Sequence, residues 1–268
     1  MRTIRLKEIR PGYEDRMTPP AGYLASSNST LTEGPFRRRG TPDGFLDTAQ
    51  DRPDANKKLV LLGDSFVESM FIDEHSRFPA IIERGLTDDW RVCNGGYSGM
   101  TALHQLGVLS MKIPPLLTPG SKVILFFGMV DVFALSQPGR YWDAHDFVTP
   151  ILPAPEEVSS PLSIDEVHRG AVRAVLETAR AFGMDFGVVS SAYRRPDVRD
   201  PAPQSPEAIR RLIQRVTREE AARVSAPFFA SQSHVTPDDF YDTLHMNEAG
   251  QHRYATAFGE WLRAEMGI

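Results

Sequence analysis

The sequence predicts a three-layer α/β domain built on a mostly parallel sheet of five strands. Three observations carry that reading. The runs Leu59-Val60-Leu61-Leu62 and Val123-Ile124-Leu125-Phe126-Phe127 have the length and unbroken hydrophobicity of strands covered on both faces. Longer segments with helix-capping signals alternate with such runs. The alternation implies right-handed crossovers, with helices on both faces of the sheet.

Taken in order, residues 1–57 stand apart. They are rich in Pro, Gly, Ser, Thr and Arg, show little apolar periodicity, and read as an irregular extension packing over the domain that fills 58–268. The triplet Arg37-Arg38-Arg39 within them reads as a solvated loop rather than an anion site. The first strand, Lys58 to Leu62, stops at Gly63. Phe78 to Leu86 is an amphipathic helix stopped near Gly85, and Trp90 to Cys93 is the second strand. Thr101 to Met111 is helical, and Pro114-Pro115 ends it. The third strand, Val123 to Phe127, runs into Gly128. Residues 132–162 carry prolines and aromatics without a period and read as an insertion or lid; Phe133, Tyr141, Trp142 and Phe147 can cover the site or, equally well, pack as buried aromatics. Ser163 with Glu166 forms a capping box that opens a helix to about Phe182. Phe186 to Val189 is the fourth strand, and Ser205-Pro206-Glu207 opens another helix with Pro in its first turn. Pro227 to Ala230 is the fifth strand. Asn247 caps a last helix that reaches about Glu265.

Composition narrows the function classes. A hydrophobic content of 41% over 268 residues supports one large α/β core. A net charge of -5 argues against nucleic acid, whose phosphate backbone favours a basic face. The single cysteine, Cys93, cannot form an internal disulfide, so nothing supports a stapled secreted scaffold. The first 17 residues carry charges and no apolar stretch, and no later segment has the apolar length of a membrane span. The expectation is a cytoplasmic protein with no membrane partner.

Ligand sites in parallel α/β sheets lie beyond the carboxyl ends of the strands. Gly63-Asp64-Ser65 follows strand one, and Asn94-Gly95-Gly96-Tyr97-Ser98-Gly99 follows strand two. Gly128-Met129-Val130-Asp131 follows strand three, and Asp242-Thr243-Leu244-His245 comes after strand five. One rim thus gathers a hydroxyl, glycine backbone donors, carboxylates and an imidazole, the parts of an acyl-transfer site. A serine hydroxyl is a weak nucleophile and needs a base. His245 can take the Ser65 proton, and Asp242, three residues before it, can hold the imidazole tautomer. The backbone N–H groups of Ser65 and Gly99 are candidate oxyanion donors, and glycine permits the close approach this requires.

These blocks resemble those of the SGNH, or GDSL-type, hydrolases over roughly residues 58–268. LVLLGDSF looks like the first block, with Phe66 where Leu is commoner. NGGYSG resembles the second, whose glycine maps to Gly99, and DTLH before NEAGQHRYA resembles the last, giving Asp242 and His245. The resemblance implies a flavodoxin-like parallel sheet, ester hydrolysis through an acyl-serine intermediate, no metal or organic cofactor, and small acyl esters as substrates, for example O-acetyl groups on a sugar or metabolite. Asp64, Asn94 and Asp131 are expected to support the site. One block departs from the pattern: the family's Gly-X-Asn-Asp reads Gly128-Met129-Val130-Asp131, and valine cannot supply the third oxyanion donor. Asn94 or a residue of the 132–162 segment is the expected substitute. Acyl transfer through the same serine and a non-catalytic binding role stay open as alternatives.

Other signals read as structure. Asp165-Glu166-Val167-His168 repeats the Asp-X-X-His spacing, but in the first turn of a helix. His252 falls inside the last helix. A cation site at Asp238, Asp239, Asp242 and His245 has no second ligand group at matching spacing. Gly96-Tyr97-Ser98-Gly99-Met100 fails the G-x-S-x-G elbow at its last position, and no G-x-G-x-x-G dinucleotide fingerprint is present.

Overall fold

The apolar runs assemble into a central sheet whose two faces carry two separate cores. The computed structural model describes residues 1–50, 52–152, 159–194, 201–202 and 204–268. Position 51 of the extension and 153–158 of the 132–162 segment lie outside the described residues. The chain begins with β1 (Thr3–Ile4), β2 (Glu14–Met17), α1 (Ala21–Ser26) and β3 (Phe36–Arg39). It continues through β4 (Lys57–Gly63), α2 (Ser65–Glu68), α3 (Phe78–Arg84), β5 (Trp90–Gly96), α4 (Ala102–Met111), β6 (Lys122–Phe127) and α5 (Met129–Ser136). It ends with β7 (Ile151–Leu152), α6 (Ile164–Ala181), β8 (Asp185–Ser190), α7 (Pro206–Arg223), β9 (Phe228–Ala230) and α8 (Glu248–Met266).

The central sheet has the order β5-β4-β6-β8-β9, and every pairing in it is parallel. Period-2 alternation sorts its side chains. Val60, Leu62, Val123, Leu125 and Val188 enter one core, with residues of α4, α5, α6 and α7. Leu59, Leu61, Ile124, Phe126 and Val189 enter the other, with α2, α3 and α8. Both faces of each strand are therefore apolar, which is why the sequence reads as continuous runs instead of an alternating pattern. Burying a Leu, Val or Phe contributes about 1.5–3 kcal/mol, so the sheet interior is the main source of stability.

The caps act where the sequence places them. Ser163 and Glu166 satisfy each other's backbone N–H groups at the start of α6. Ser205 accepts from Ala208 N–H at α7, and Asn247 accepts from Gly250 N–H at α8.

Three expectations need correction. The N-terminal segment is not wholly irregular: β2 pairs with β3 antiparallel, and β1 pairs with β7. These strands are two to four residues long, too short to show a period. The Arg37–Arg39 triplet is not a solvated loop. It lies on β3, with Arg37 on Glu14, Arg38 on Glu68 and Asp15, and Arg39 on Glu74 and Asp47. Finally, residues 132–136 belong to α5, and Tyr141 is completely buried, hydrogen-bonded to Asp131 at 2.7 Å. Val132, Ala134, Leu135 and Tyr141 of the 132–162 segment are thus core, while Phe133, Trp142 and Phe147 are exposed. Among the described residues, no helix is long and apolar enough to cross a membrane.

Candidate active site

β4 delivers Ser65 to the carboxyl edge of the sheet, as the first residue of α2. Its Oγ lies 2.8 Å from His245 Nε2, and His245 Nδ1 lies 2.7 Å from Asp242 Oδ2. A carboxylate only accepts, so Nδ1 carries the proton. Nε2 is then a free acceptor facing the Ser65 hydroxyl. The Asp-Thr-Leu-His turn organises itself: Asp242 Oδ1 accepts the N–H groups of Leu244 and His245, both at 2.6 Å. Tyr241 stacks on the His245 ring at 5.7 Å between centroids. Burial pushes the Asp242 carboxyl up, but hydrogen bonding and charge from His245, with a hydrogen bond from Tyr23, outweigh it and hold the group down at about 2. It is ionised at neutral pH.

Asp64 sits beneath this set. Its buried carboxylate accepts from Phe66 N–H at 3.0 Å, Met129 N–H at 3.0 Å and Val130 N–H at 3.1 Å, joining the serine turn to the start of α5. Asp131 does similar work one layer away. It accepts from Ala102 N–H at 2.9 Å and the Tyr141 hydroxyl, and burial pushes its carboxyl up to about 6 against those bonds.

Gly99 has φ +83, the left-handed region, and a side chain there would collide with Lys7 Nζ and Phe147. Hydrogen bonds in its loop run from Tyr97 N–H to Gly63 O and from Met100 N–H to Tyr97 O, and the Gly99 N–H has no partner among the described residues. Ser65, as the first helical residue, has no intrahelical acceptor for its N–H either. Asn94 has no hydrogen bond to Ser65 among the described residues. It is buried on β5, with Oδ1 accepting Gly96 N–H at 3.0 Å. Val130 is buried at the start of α5, its side chain in the core and its N–H on Asp64.

The secondary candidates take structural places. His252 is exposed. His168 is buried against the Tyr141 hydroxyl at 2.8 Å, and Asp165 pairs with Arg169 and Arg215. The Ser98 hydroxyl and N–H are both held by Glu68, at 2.6 Å each. Among the described residues, no three His, Cys, Asp or Glu side chains are placed to hold a metal ion.

Sequence reasoning missed three groups around the site. Glu68, buried on α2, bridges Ser98 and Arg38; a carboxylate three residues after Ser65 in an apolar helix is a signal that could have found it. Lys7 is buried and donates to Phe147 O at 2.7 Å and Ser98 O at 3.2 Å. Tyr23 places its hydroxyl on Asp242 Oδ2, 3.1 Å from His245 Nδ1. Neither Lys7 nor Tyr23 has a sequence signal, because each meets its partners far along the chain.

The fold and this rim define a hydrolase of the α/β class with its polar groups at the strand ends. The chain belongs to the GDSL-like lipase/acylhydrolase family, which matches residues 61–253, and is an esterase/acylhydrolase of the SGNH type. Similar solved structures include an α/β hydrolase enzyme from the metagenome of Lake Arreo, Spain, at 19% identity and TM-score 0.55, covering 77% of this chain and 95% of that one. A variant of an acetyl xylan esterase from Geobacillus stearothermophilus aligns at 19% identity and TM-score 0.54, over 78% and 95%. A carbohydrate acetylesterase from Sinorhizobium meliloti aligns at 16% identity and TM-score 0.53, over 78% and 99%. At these identities the likeness is one of fold. No curated protein matches the chain.

Proposed function

We propose that the protein hydrolyses small acyl esters, such as O-acetyl groups on a sugar or metabolite, through an acyl-serine intermediate. The observation that carries the reading is the continuous chain Ser65 Oγ–His245 Nε2 and His245 Nδ1–Asp242 Oδ2, at 2.8 and 2.7 Å. Ser65 Oγ attacks the ester carbonyl as its proton passes to His245 Nε2, while Asp242 stabilises the imidazolium. The tetrahedral oxyanion accepts from the N–H groups of Ser65 and Gly99. His245 returns the proton to the leaving alcohol. Water, deprotonated by the same imidazole, then releases the acid and restores Ser65.

Acetyl esters are favoured because two of the similar structures are described as an acetyl xylan esterase and a carbohydrate acetylesterase. The test is p-nitrophenyl acetate hydrolysis by the wild type beside Ser65→Ala. Turnover by the wild type and silence of the variant support the reading. Equal activity of the two overturns the Ser65 assignment.

A further inference from the structure

We propose that Tyr23 is a positioning residue for the Asp242–His245 pair, its hydroxyl completing the set of donors that fixes the carboxylate behind the imidazole. The proposal rests on the reading of Ser65, His245 and Asp242 as the working set.

A carboxylate offers about four acceptor directions, two on each oxygen. Asp242 Oδ1 accepts from the N–H groups of Leu244 and His245. Oδ2 faces His245 Nδ1, which leaves one direction on that oxygen, and the Tyr23 hydroxyl occupies it. With all four directions filled, the carboxylate cannot rotate without breaking a charge-assisted bond. The phenol is the donor in this contact. Burial and the neighbouring Asp242 charge raise its pKa, so it stays protonated. Its oxygen also lies 3.1 Å from Nδ1, so phenol, carboxylate and imidazole meet at one point.

Tyr23 reaches this point from outside the family-matched residues 61–253. The helix that carries it, α1, is six residues long, with no side-chain cap and no buried residue, so its own hydrogen bonds do not explain its placement. Contacts to Phe71 and to the last block do. The Tyr23 ring meets Phe71 edge-on at 5.5 Å and Tyr241 at 6.4 Å. Asn28 N–H donates to Tyr241 O at 3.0 Å, and Asn247 donates to the Thr30 hydroxyl at 3.3 Å. The same few residues of the last block thus hold both the imidazole and the tyrosine that braces its carboxylate.

Saturation kinetics of a fluorophosphonate probe test the assignment without knowledge of the natural substrate. In that reaction Ser65 Oγ bonds to phosphorus, fluoride leaves, and the serine proton passes to His245 Nε2. Wild type, Tyr23→Phe, Phe71→Leu and Ser65→Ala are compared. Tyr23→Phe keeps the ring and removes only the hydroxyl. Its maximal labelling rate is expected to fall about ten- to a hundredfold, the worth of one charge-assisted hydrogen bond, with the probe's half-saturation unchanged. Phe71→Leu, which disturbs the packing and not the hydroxyl, is expected to keep the wild-type maximal rate. The low-field proton resonance of the Nδ1–Oδ2 hydrogen bond is expected to move in Tyr23→Phe and not in Phe71→Leu. An unchanged maximal rate in Tyr23→Phe, with Ser65→Ala unlabelled, overturns the role of Tyr23 and leaves the proposed function standing. Equal losses in Tyr23→Phe and Phe71→Leu also overturn it, because packing alone then accounts for the effect. Labelling of Ser65→Ala at the wild-type rate removes the Ser65 reading, and this proposal with it.

Discussion

Replacing Asp64 by alanine disconnects the serine turn from α5, and the structure sets the size of the effect. Three backbone donors, on Phe66, Met129 and Val130, point at one buried carboxylate. Alanine leaves all three unsatisfied, at about 1–3 kcal/mol for each that stays buried. Against this, the wild type holds a carboxylate in a site where burial pushes its pKa up, so part of its bonding is already offset. The expected net loss is about 3 kcal/mol. At about 2–4 °C per kcal/mol for domains of this size, the melting temperature should fall by roughly 6–12 °C.

Asp64→Asn separates the contributions. A carboxamide oxygen placed at the Oδ2 position keeps the Met129 and Val130 bonds, and its NH2 group meets the Phe66 N–H unfavourably. The expected loss is about 1 kcal/mol, well below that of alanine. The pH dependence has a definite sign. Because the folded carboxyl has a raised pKa, the folded state binds more protons than the unfolded state above the unfolded value, and wild-type stability falls as pH rises through that range. The advantage of wild type over Asp64→Asn should therefore narrow as pH rises above the unfolded carboxyl value of about 3.9, by urea denaturation. An alanine variant within about 0.5 kcal/mol of wild type, or a gap that widens with pH, would refute the reasoning.

Two further ionisable groups both add stability as pH rises, in separate windows. Glu220, its side chain 2% exposed, binds Arg173, Arg223 and Arg169 and ties α7 to α6. Burial pushes its carboxyl up, but the three guanidinium hydrogen bonds outweigh it and bring it to about 2. Its stabilisation is present above the unfolded value of about 4.3 and is lost as pH falls toward 2. Glu220→Gln should lose that part of the acid sensitivity, and Glu220→Ala should cost about 2 kcal/mol in urea unfolding, below a fully buried pair because the arginines are partly exposed. Lys7 acts in the alkaline window. Burial, aided by Arg5, pushes its pKa down to about 7 against the attraction of Glu68. The unfolded state then binds the extra proton between about pH 7 and pH 10.4, so this group adds stability as pH rises through that window. The denaturation midpoint of Lys7→Met should lack that rise; an identical slope in both proteins would sink the assignment.

The parts of the fold that were legible are those in which one local pattern carries the information. A strand covered on both faces must be apolar at every position, so Leu59–Leu62 and Val123–Phe127 declare themselves. Ser163, Ser205 and Asn247 mark helix starts because a cap acts within three residues of itself. The polar groups gathered at the rim were legible for the same reason: Ser65, Gly99, Asp131 and the Asp242-to-His245 turn follow strands whose direction the alternation sets. What stayed hidden depends on distance along the chain. Tyr23 meets Asp242 across 219 positions, and Lys7 meets Ser98 across 91. The arginines of β3 looked solvated because Glu14, Glu68 and Glu74, which neutralise them, are scattered through the sequence. The helical character of α5 was obscured because it is only eight residues long and buried along nearly all of its length.

Val130 brings these observations together. In the reading proposed above, the oxyanion is held by two backbone donors where the family pattern has a third from a side chain, and one missing donor is worth about 2.7–4 kcal/mol. Asn94 lies buried on β5 with its oxygen accepting the Gly96 N–H. The N–H groups of Met129 and Val130 do not replace the missing donor, since Asp64 already accepts both. What the chain does provide is rigidity on both sides of Ser65. Glu68 and Lys7 clamp the Ser98–Gly99 loop from its N–H and carbonyl sides. Tyr23 and the turn N–H groups clamp Asp242. A hole with two donors loses less when those donors need no reorganisation as charge develops, because preorganised dipoles in a water-poor site are worth more than mobile ones. On this argument the N-terminal segment braces the proposed site. It supplies Lys7 and Tyr23 to opposite ends of a site whose third block carries Val130 in place of the family's asparagine.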